Sequence, residues 1–285
     1  MSEQINIIDL DETHQNPTKK NRFTKVLPRS FTFGNAKVSL DSISLFNQFF
    51  NIKQEFNNNT ITLTWNASTT TTHTIVIPNG YYGIDLINLY VQNYCIANGL
   101  YLYHSETNKN VFFYKIFANE PTYRIQIDTY LLPNQILADE LGYTKPELAT
   151  WLYPTNSQTP QISINTVEFG KLVGFVPQII PATIMNTAFS LLGNFAPRIE
   201  PISGIKVACN LISSPYQNPS SVMRVIKINS SYGSTIAYEA QKDQFLNIQD
   251  GTYNKIEITL YDNLMNDLTI QDSDISIVFS IKETL

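Results

Sequence analysis

Apolar and polar residues alternate with period two over much of the chain, and this alternation predicts a protein built from β-strands. From Ala36 onward, Val38, Leu40, Ser42, Ser44 and Phe46 share one parity, with Ile43 and Leu45 on the other, as in a strand covered on both faces. Ile61, Leu63 and Trp65 alternate with Thr60, Thr62, Thr64 and Asn66, and residues 74–77 form a further strand, with the threonine run at 69–72 read as the hairpin tip between them. Asn57, Asn58 and Asn59 mark the preceding turn, because Asn tolerates left-handed backbone. One helix stands out. Residues 84–98 place Leu86, Leu89, Tyr90 and Tyr94 at three-to-four spacing, with Gly99 just past the end and Asp85 in or beside the first turn, where a carboxylate meets free N–H groups.

Strand patterns resume at 100–103, 111–117 and 123–128, and again at 205–212, 222–228, 235–239, 244–248, 255–261 and 274–282, with turn residues at nearly every corner. Between these blocks, residues 131–204 contain Pro133, Pro146, Pro154, Pro160, Pro177, Pro181, Pro197 and Pro201, and alternation is weak except near 167–176. Helical turns are expected at 136–141, 146–152 and 185–193. The expected organisation is a flexible N-terminal arm at 1–30, one discontinuous β-domain at 31–130 and 205–285, and a loop-rich insertion at 131–204. Many short strands with frequent turns indicate a sandwich or barrel, with jelly rolls one member of that class.

Composition sharpens this picture. The 285 residues are 43% hydrophobic and 12% aromatic, but only 15% charged, so polarity comes from amides and hydroxyls. Net charge is −5, which argues against a protein wrapped directly on nucleic acid. Five basic residues, Lys19, Lys20, Arg22, Lys25 and Arg29, nevertheless fall in the arm, which has too little periodic apolar surface to order itself alone. The arm is expected to be either a solvated tail or a segment ordered against a neighbour. Cys95 and Cys209 lie in apolar surroundings and read as buried free thiols from a reducing place of synthesis. No signal peptide is visible and no run approaches the ~18 apolar residues of a membrane span. The sequons at Asn58, Asn66 and Asn229 read as chance in an Asn-rich chain.

Catalytic and metal chemistry finds little purchase. His14, His73 and His104 are isolated from one another, and no zinc, phosphate-loop, dinucleotide or nucleophile-elbow motif is present. Asp262, Asp267, Asp272 and Asp274 are close enough in sequence to raise the question of Ca²⁺, but they lack EF-hand spacing and read as solvated turn carboxylates. Asp139 and Glu140 are a poor candidate for a glycosidase pair. No catalytic residue, metal or cofactor is expected. Of the aromatics, Phe46, Phe49, Phe112 and Phe113 sit in dense apolar stretches, while Tyr81, Tyr82, Tyr101 and Tyr103 could line an interface. The rival reading is a carbohydrate-binding β-sandwich attachment module with an exposed Tyr or Trp151 as its stacking platform.

Two stretches carry a resemblance to a family. The first is KVSLDSISLFNQFFNI at 37–52 followed by IVIPNGYYGIDLINLYVQ at 75–92. The second runs from IKVACNLI at 205–212 through VMRVI at 222–226, DGTYN at 250–254 and IEITLYD at 256–262 to ISIVFSIK at 275–282. In order and spacing they resemble the penton, or minor capsid, proteins of virophages and Polinton-like viruses, of the Mavirus-type lineage. Within the insertion only FGKLVGF at 169–175 matches. The resemblance implies an all-β single jelly roll with one short helix and an insertion. It further implies a non-enzymatic structural protein of the virion, made in the host cytoplasm, whose homopentamers close the fivefold vertices of an icosahedral capsid. Its partners would be copies of itself and the major capsid protein of the same particle, with the basic half of the arm meeting acidic protein or packaged genome.

Overall fold

Strands form where the alternation is regular and also in places where it is not. The computed structural model describes residues 3–214, 220–241, 244–271 and 274–284. In chain order, β1 (Glu3–Leu10), β2 (Arg22–Phe33) and β3 (Ala36–Phe46) lead into β4 (Thr60–Asn66), β5 (Thr70–Val76) and helix α1 (Ile84–Ala97). There follow β6 (Leu102–His104), β7 (Lys109–Val111), β8 (Tyr114–Asn119), β9 (Arg124–Thr129), α2 (Gln135–Glu140), β10 (Tyr143–Thr144), β11 (Gln161–Ile164), α3 (Val167–Val173), β12 (Gln178–Ile180) and β13 (Phe189–Leu192). The last block is β14 (Gly204–Cys209), β15 (Val222–Lys227), β16 (Thr235–Glu239), β17 (Leu246–Asn247), β18 (Gly251–Asp262) and β19 (Ser276–Thr284). The chain divides into two compact units, residues 1–49 with 202–285, and residues 50–201.

The first unit holds two antiparallel sheets. One has the order β1-β19-β3-β16, with β17 also on β3, and the other has the order β15-β14-β18-β2. Setting aside the short β17, the eight strands cross from one sheet to the other at every step except the β14–β15 hairpin, which is the order of a jelly roll, and the roll is complete without any residue of 50–201. Each strand turns one parity inward. On β18, Ile256, Ile258 and Leu260 are fully buried, and they meet Leu10, Phe23, Val38, Leu40, Val207, Ile236 and Phe279 in one core. Met223 of β15 is an extra residue against β14 and Asp41 of β3 an extra residue against β19, while residues 27–30 of β2 stand against the single residue Asn254 of β18, and such register breaks bend the sheets.

The second unit has its own core, in which Trp65, Ile61, Leu63, Ile127, Phe169, Phe175 and Tyr114 are buried. Its sheet β12-β11-β4-β5 joins β4 to β11 with Leu63 opposite Ile162, and a second sheet runs β13-β9-β8. Helix α1 buries Ile84, Ile87, Val91 and Cys95 on one face. Its N-cap is Gly83 and makes no side-chain cap bond, so Asp85 contributes only charge in the first turn. Gly99 has φ +65, and a Cβ there would lie 2.8 Å from the amide nitrogen of Ala149, so both backbone conformation and space require glycine.

Several expectations are corrected. Residues 1–30 are not a flexible arm. All eight residues of β1 pair with β19, β2 pairs with β18, and Leu10 and Phe23 are fully buried, so ladder bonds and core contacts hold the segment. The β-domain does not extend over 31–130, nor the insertion over 131–204, because β4, the partner of β5, also pairs with β11, and β9, the partner of β8, also pairs with β13, across the expected boundary. α2 falls on the helical turn expected at 136–141, whereas α3 adds a helix where none was expected. Residues 167–173, whose alternation looked strand-like, form α3, capped when Thr166 Oγ accepts from the Phe169 N–H at 3.1 Å. Residues 189–192 are a strand where a helical turn was expected. Thr70, Thr71 and Thr72 lie inside β5, paired with Asn66, Trp65 and Thr64, so the tip is earlier.

Candidate assembly surface

The five basic residues are spread along one edge of the jelly roll. Lys19 and Lys20 sit in the exposed turn before β2, which Asn16 organises by accepting from the N–H groups of Thr18 and Lys19 at 3.0 and 2.9 Å. Arg22 reaches Glu257 on the neighbouring strand β18 at 3.9 Å. The Lys25 ammonium donates to His14 Nε2 at 3.1 Å, and His14 Nδ1 lies 2.8 Å from Asp11 Oδ1. Arg29 packs over the ring of Phe31 with its guanidinium carbon 5.2 Å from the centroid. Together with Pro28 and the register break at 27–30 that contains it, these charges guard an edge strand against pairing with a foreign strand.

Hydrogen bonds from Thr13 and from His14 hold the Asp11 carboxyl down at about 2, well below the usual carboxylate range. A carboxyl lowered on folding contributes stability that is complete above its unfolded value of ~3.9 and is lost as pH falls through 2. We expect acid unfolding of wild type to have a component in this window that Asp11→Asn removes. Identical pH profiles for the two proteins would contradict the assignment.

The other candidates do not converge. His73 lies on β5 with its ring 6.2 Å from that of Tyr94, and burial lowers its pKa; His104 lies on β6 with its ring 5.4 Å from that of Tyr143. Asp262 Oδ1 accepts from the N–H groups of Leu264 and Asn266, and Asp267 accepts from Asn21 Nδ2 at 2.9 Å, so both fasten turns. Asp272 lies outside the described residues, and Asp274 is exposed. Asp139 accepts from Gln135 at 2.8 Å, while Glu140 faces solvent. Among the described residues no three His, Cys, Asp or Glu side chains gather where they could hold a metal ion. No helix among them is long and apolar enough to cross a membrane.

Trp151 is not a stacking platform. It is 9% exposed, its indole N–H donates to the Gly99 carbonyl at 2.7 Å, and its ring meets Trp65 edge-on at 5.3 Å. Tyr81 donates to Glu200 at 2.6 Å, and burial together with that carboxylate pushes its hydroxyl up to about 12. Tyr103 donates to Asn108 at 2.5 Å. Tyr82 and Tyr101 are half-buried, and Phe49 and Phe113 are core residues. Two of the sequons are structural: Asn58 donates to the Asn51 carbonyl and Asn66 to the Thr159 carbonyl, both from buried positions.

Cys95 and Cys209 are free and buried, and burial pushes both thiols up to about 12. Neither should react with a thiol-specific disulfide reagent in the native protein within minutes, and both should react in urea. Rapid labelling of one thiol before unfolding would show that its packing is wrong.

The surface that sequence reading passed over is the outward parity of the jelly-roll edges. On β1, Ile8 and Leu10 face the core while Ile5, Ile7 and Asp9 face away, with Ile5 54% and Ile7 72% exposed. On β15, Ile226 faces the core while Val225, 55% exposed, and Lys227 face away. Val225 stands directly opposite Lys206 on β14, so the two share that outer face. β1 is an edge of its sheet and lies beside β2, whereas β15 is the edge of the other sheet farthest from β2. The two patches therefore occupy opposite edges of the sandwich.

No protein-family model matches the chain, and no curated protein matches it. Solved structures similar to it include the mavirus penton protein, with a TM-score of 0.45, 12% identity and coverage of 99% of each chain. Another is a chain in the structure of the Sputnik virophage, with a TM-score of 0.43, 10% identity and coverage of 99% of this chain and 98% of that one.

Proposed function

We propose that this protein is a structural capsid protein, a penton whose homopentamers close the fivefold vertices of an icosahedral virus or virophage particle beside its major capsid protein. The observation that carries the reading is a jelly roll complete in residues 1–49 and 202–285, interrupted between its third and fourth strands by a separately cored unit. The quoted runs that resemble pentons fall on β3 and on β14, β15, β18 and β19 of that roll, with a further run through β5 and α1 of the second unit. The role is geometric. Identical heterologous contacts close a ring when each copy is turned one fifth of a circle from the last, and the association energy comes from surface buried between copies. A surface poor in charge suits this task, because interface cores are depleted of charged groups that are costly to dehydrate.

Because β1 and β2 belong to the sheets, they offer neighbours a fixed surface, and a tail that threads elsewhere is not required. Assembly is tested by the mass of the associated protein, from light scattering and sedimentation of the full chain. A species of about five times the 32.4 kDa chain is expected. A stable dimer as the assembled unit overturns the reading.

A further inference from the structure

Among the described residues the jelly roll has four edge strands, and they are not equally guarded. β2 carries Pro28, Lys25, Arg29 and a register break in its pairing with β18. β15 carries Arg224 and Lys227 and pairs with β14 across a bulge, while β16 spans only five residues. β1 has none of these devices. Its eight residues pair with β19 in unbroken register, without proline, bulge, lysine or arginine, and its outward face exposes Ile5 and Ile7. Natural edge strands usually carry such protection, and an edge left bare and apolar marks a place where another chain is meant to sit.

Charge says which surface fits it. Residues 3–18 contain Glu3, Asp9, Asp11 and Glu12 and no lysine or arginine. Asp9 shares the outward parity of Ile5 and Ile7, and among the described residues its carboxylate accepts a single long bond of 3.5 Å from Ser276. Lys282 stands opposite Ile5 on β19, with its ammonium 5.6 Å from the centre of the Phe245 ring. At the far edge of the other sheet the signs reverse. Val225 lies between Lys206, directly across from it, and Lys227, two residues along on the same face. Lys206 and Lys227 make no ion pair among the described residues.

We propose that the Ile5, Ile7 and Asp9 face of β1 docks on the Lys206, Val225 and Lys227 face of a second copy of this chain. The inference rests on the penton reading and gives its ring contact specific residues. The isoleucines meet Val225 in a dry centre, and Asp9 meets the two lysines at the rim, which fixes orientation and register. Because the two faces are different and lie on opposite edges, every copy can offer one and accept the other, so the contact is heterologous and can close a ring.

The test introduces cysteines at the two faces of the full-length protein, taken in its assembled form as an isolated ring or in particles. The native thiols are buried. Under air with copper phenanthroline, which removes two electrons and two protons per disulfide, Ile7→Cys combined with Val225→Cys should give a ladder of covalent oligomers ending at five. Neither single variant should give one. A second readout is charge reversal: Asp9→Lys and Lys227→Glu should each weaken association roughly tenfold or more, and their combination should restore most of it. These side chains are at the surface, and unchanged melting curves will confirm folding. If the double cysteine variant stays uncrosslinked while the assembled mass remains fivefold, this contact is wrong and the penton reading stands. Crosslinked dimers from Ile7→Cys alone, or a wild-type chain that assembles neither alone nor in particles, overturn both.

Discussion

Deleting residues 1–30 is expected to abolish folding of the jelly roll, with loss of near-ultraviolet signal and recovery of the protein in the insoluble fraction. The deletion removes all of β1 and most of β2, one edge strand from each sheet, and so strips the ladder bonds from one side of β19 and of β18. It also removes Leu10 and Phe23, each fully buried in the core. Truncating a buried Leu to Ala costs about 2–5 kcal/mol and a buried Phe about 3–5 kcal/mol, before counting exposed backbone groups. Whole domains are stable by only ~5–15 kcal/mol, so these two losses are already of that size, and the broken ladders of β19 and β18 come on top of them. The milder substitutions Leu10→Ala and Phe23→Ala should fold but lower the urea midpoint substantially. A deleted protein that melts cooperatively at the wild-type temperature would show that the first strands are dispensable, as a solvated arm would be.

The second large effect is expected at Trp65, in the other unit. Its side chain is fully buried, 6.1 Å from Phe113 and 5.3 Å from Trp151 between ring centres, and edge-on to both. Trp65→Ala should destabilise residues 50–201 by about 3–5 kcal/mol, because the cavity cannot collapse among rings and strands that hold it open. The indole N–H has no hydrogen-bond partner among the described residues. Trp65→Phe therefore removes an unsatisfied donor along with some volume and should cost far less than Ala. Both tryptophans of the chain lie in this unit, so in Trp65→Ala the fluorescence of Trp151 follows its unfolding alone. Equal destabilisation by Ala and Phe would mean that packing around the ring is not what matters there.

How much of this was visible in the sequence depended on how local the physics is. Ile256, Ile258 and Leu260 point inward from an unbroken alternation, so β18 was legible, and α1 with Gly99 after it was equally clear. β1 was not, because it is apolar on both parities. Ile8 and Leu10 serve the core while Ile5 and Ile7 serve the surface, and such a run looks like a patch instead of a strand. Basic residues interrupt the pattern of β2 for a related reason: they guard an edge, which makes the strand read as a tail. The unit boundary was misplaced because it is set by pairing between Leu63 and Ile162, nearly a hundred residues apart, and no local pattern records such a pairing. α3 spans seven residues, too few for helical periodicity to separate from alternation.

The candidate surface was harder to read than the fold. Sequence pointed to Lys19, Lys20, Arg22, Lys25 and Arg29 as an interaction arm, yet Arg22 faces Glu257, Lys25 is bonded to His14 and Arg29 lies over Phe31. The exposed row of β1 becomes visible only once it is known which parity faces the core. The same holds for Val225, whose meaning depends on Lys206 standing opposite it on another strand.

The most direct test of the central claim is imaging of particles that carry a labelled copy of this chain. Density or label confined to the fivefold vertices, five copies to each, is the result expected of a penton. Label spread over the facets, or particles with closed vertices that lack the chain, would contradict it.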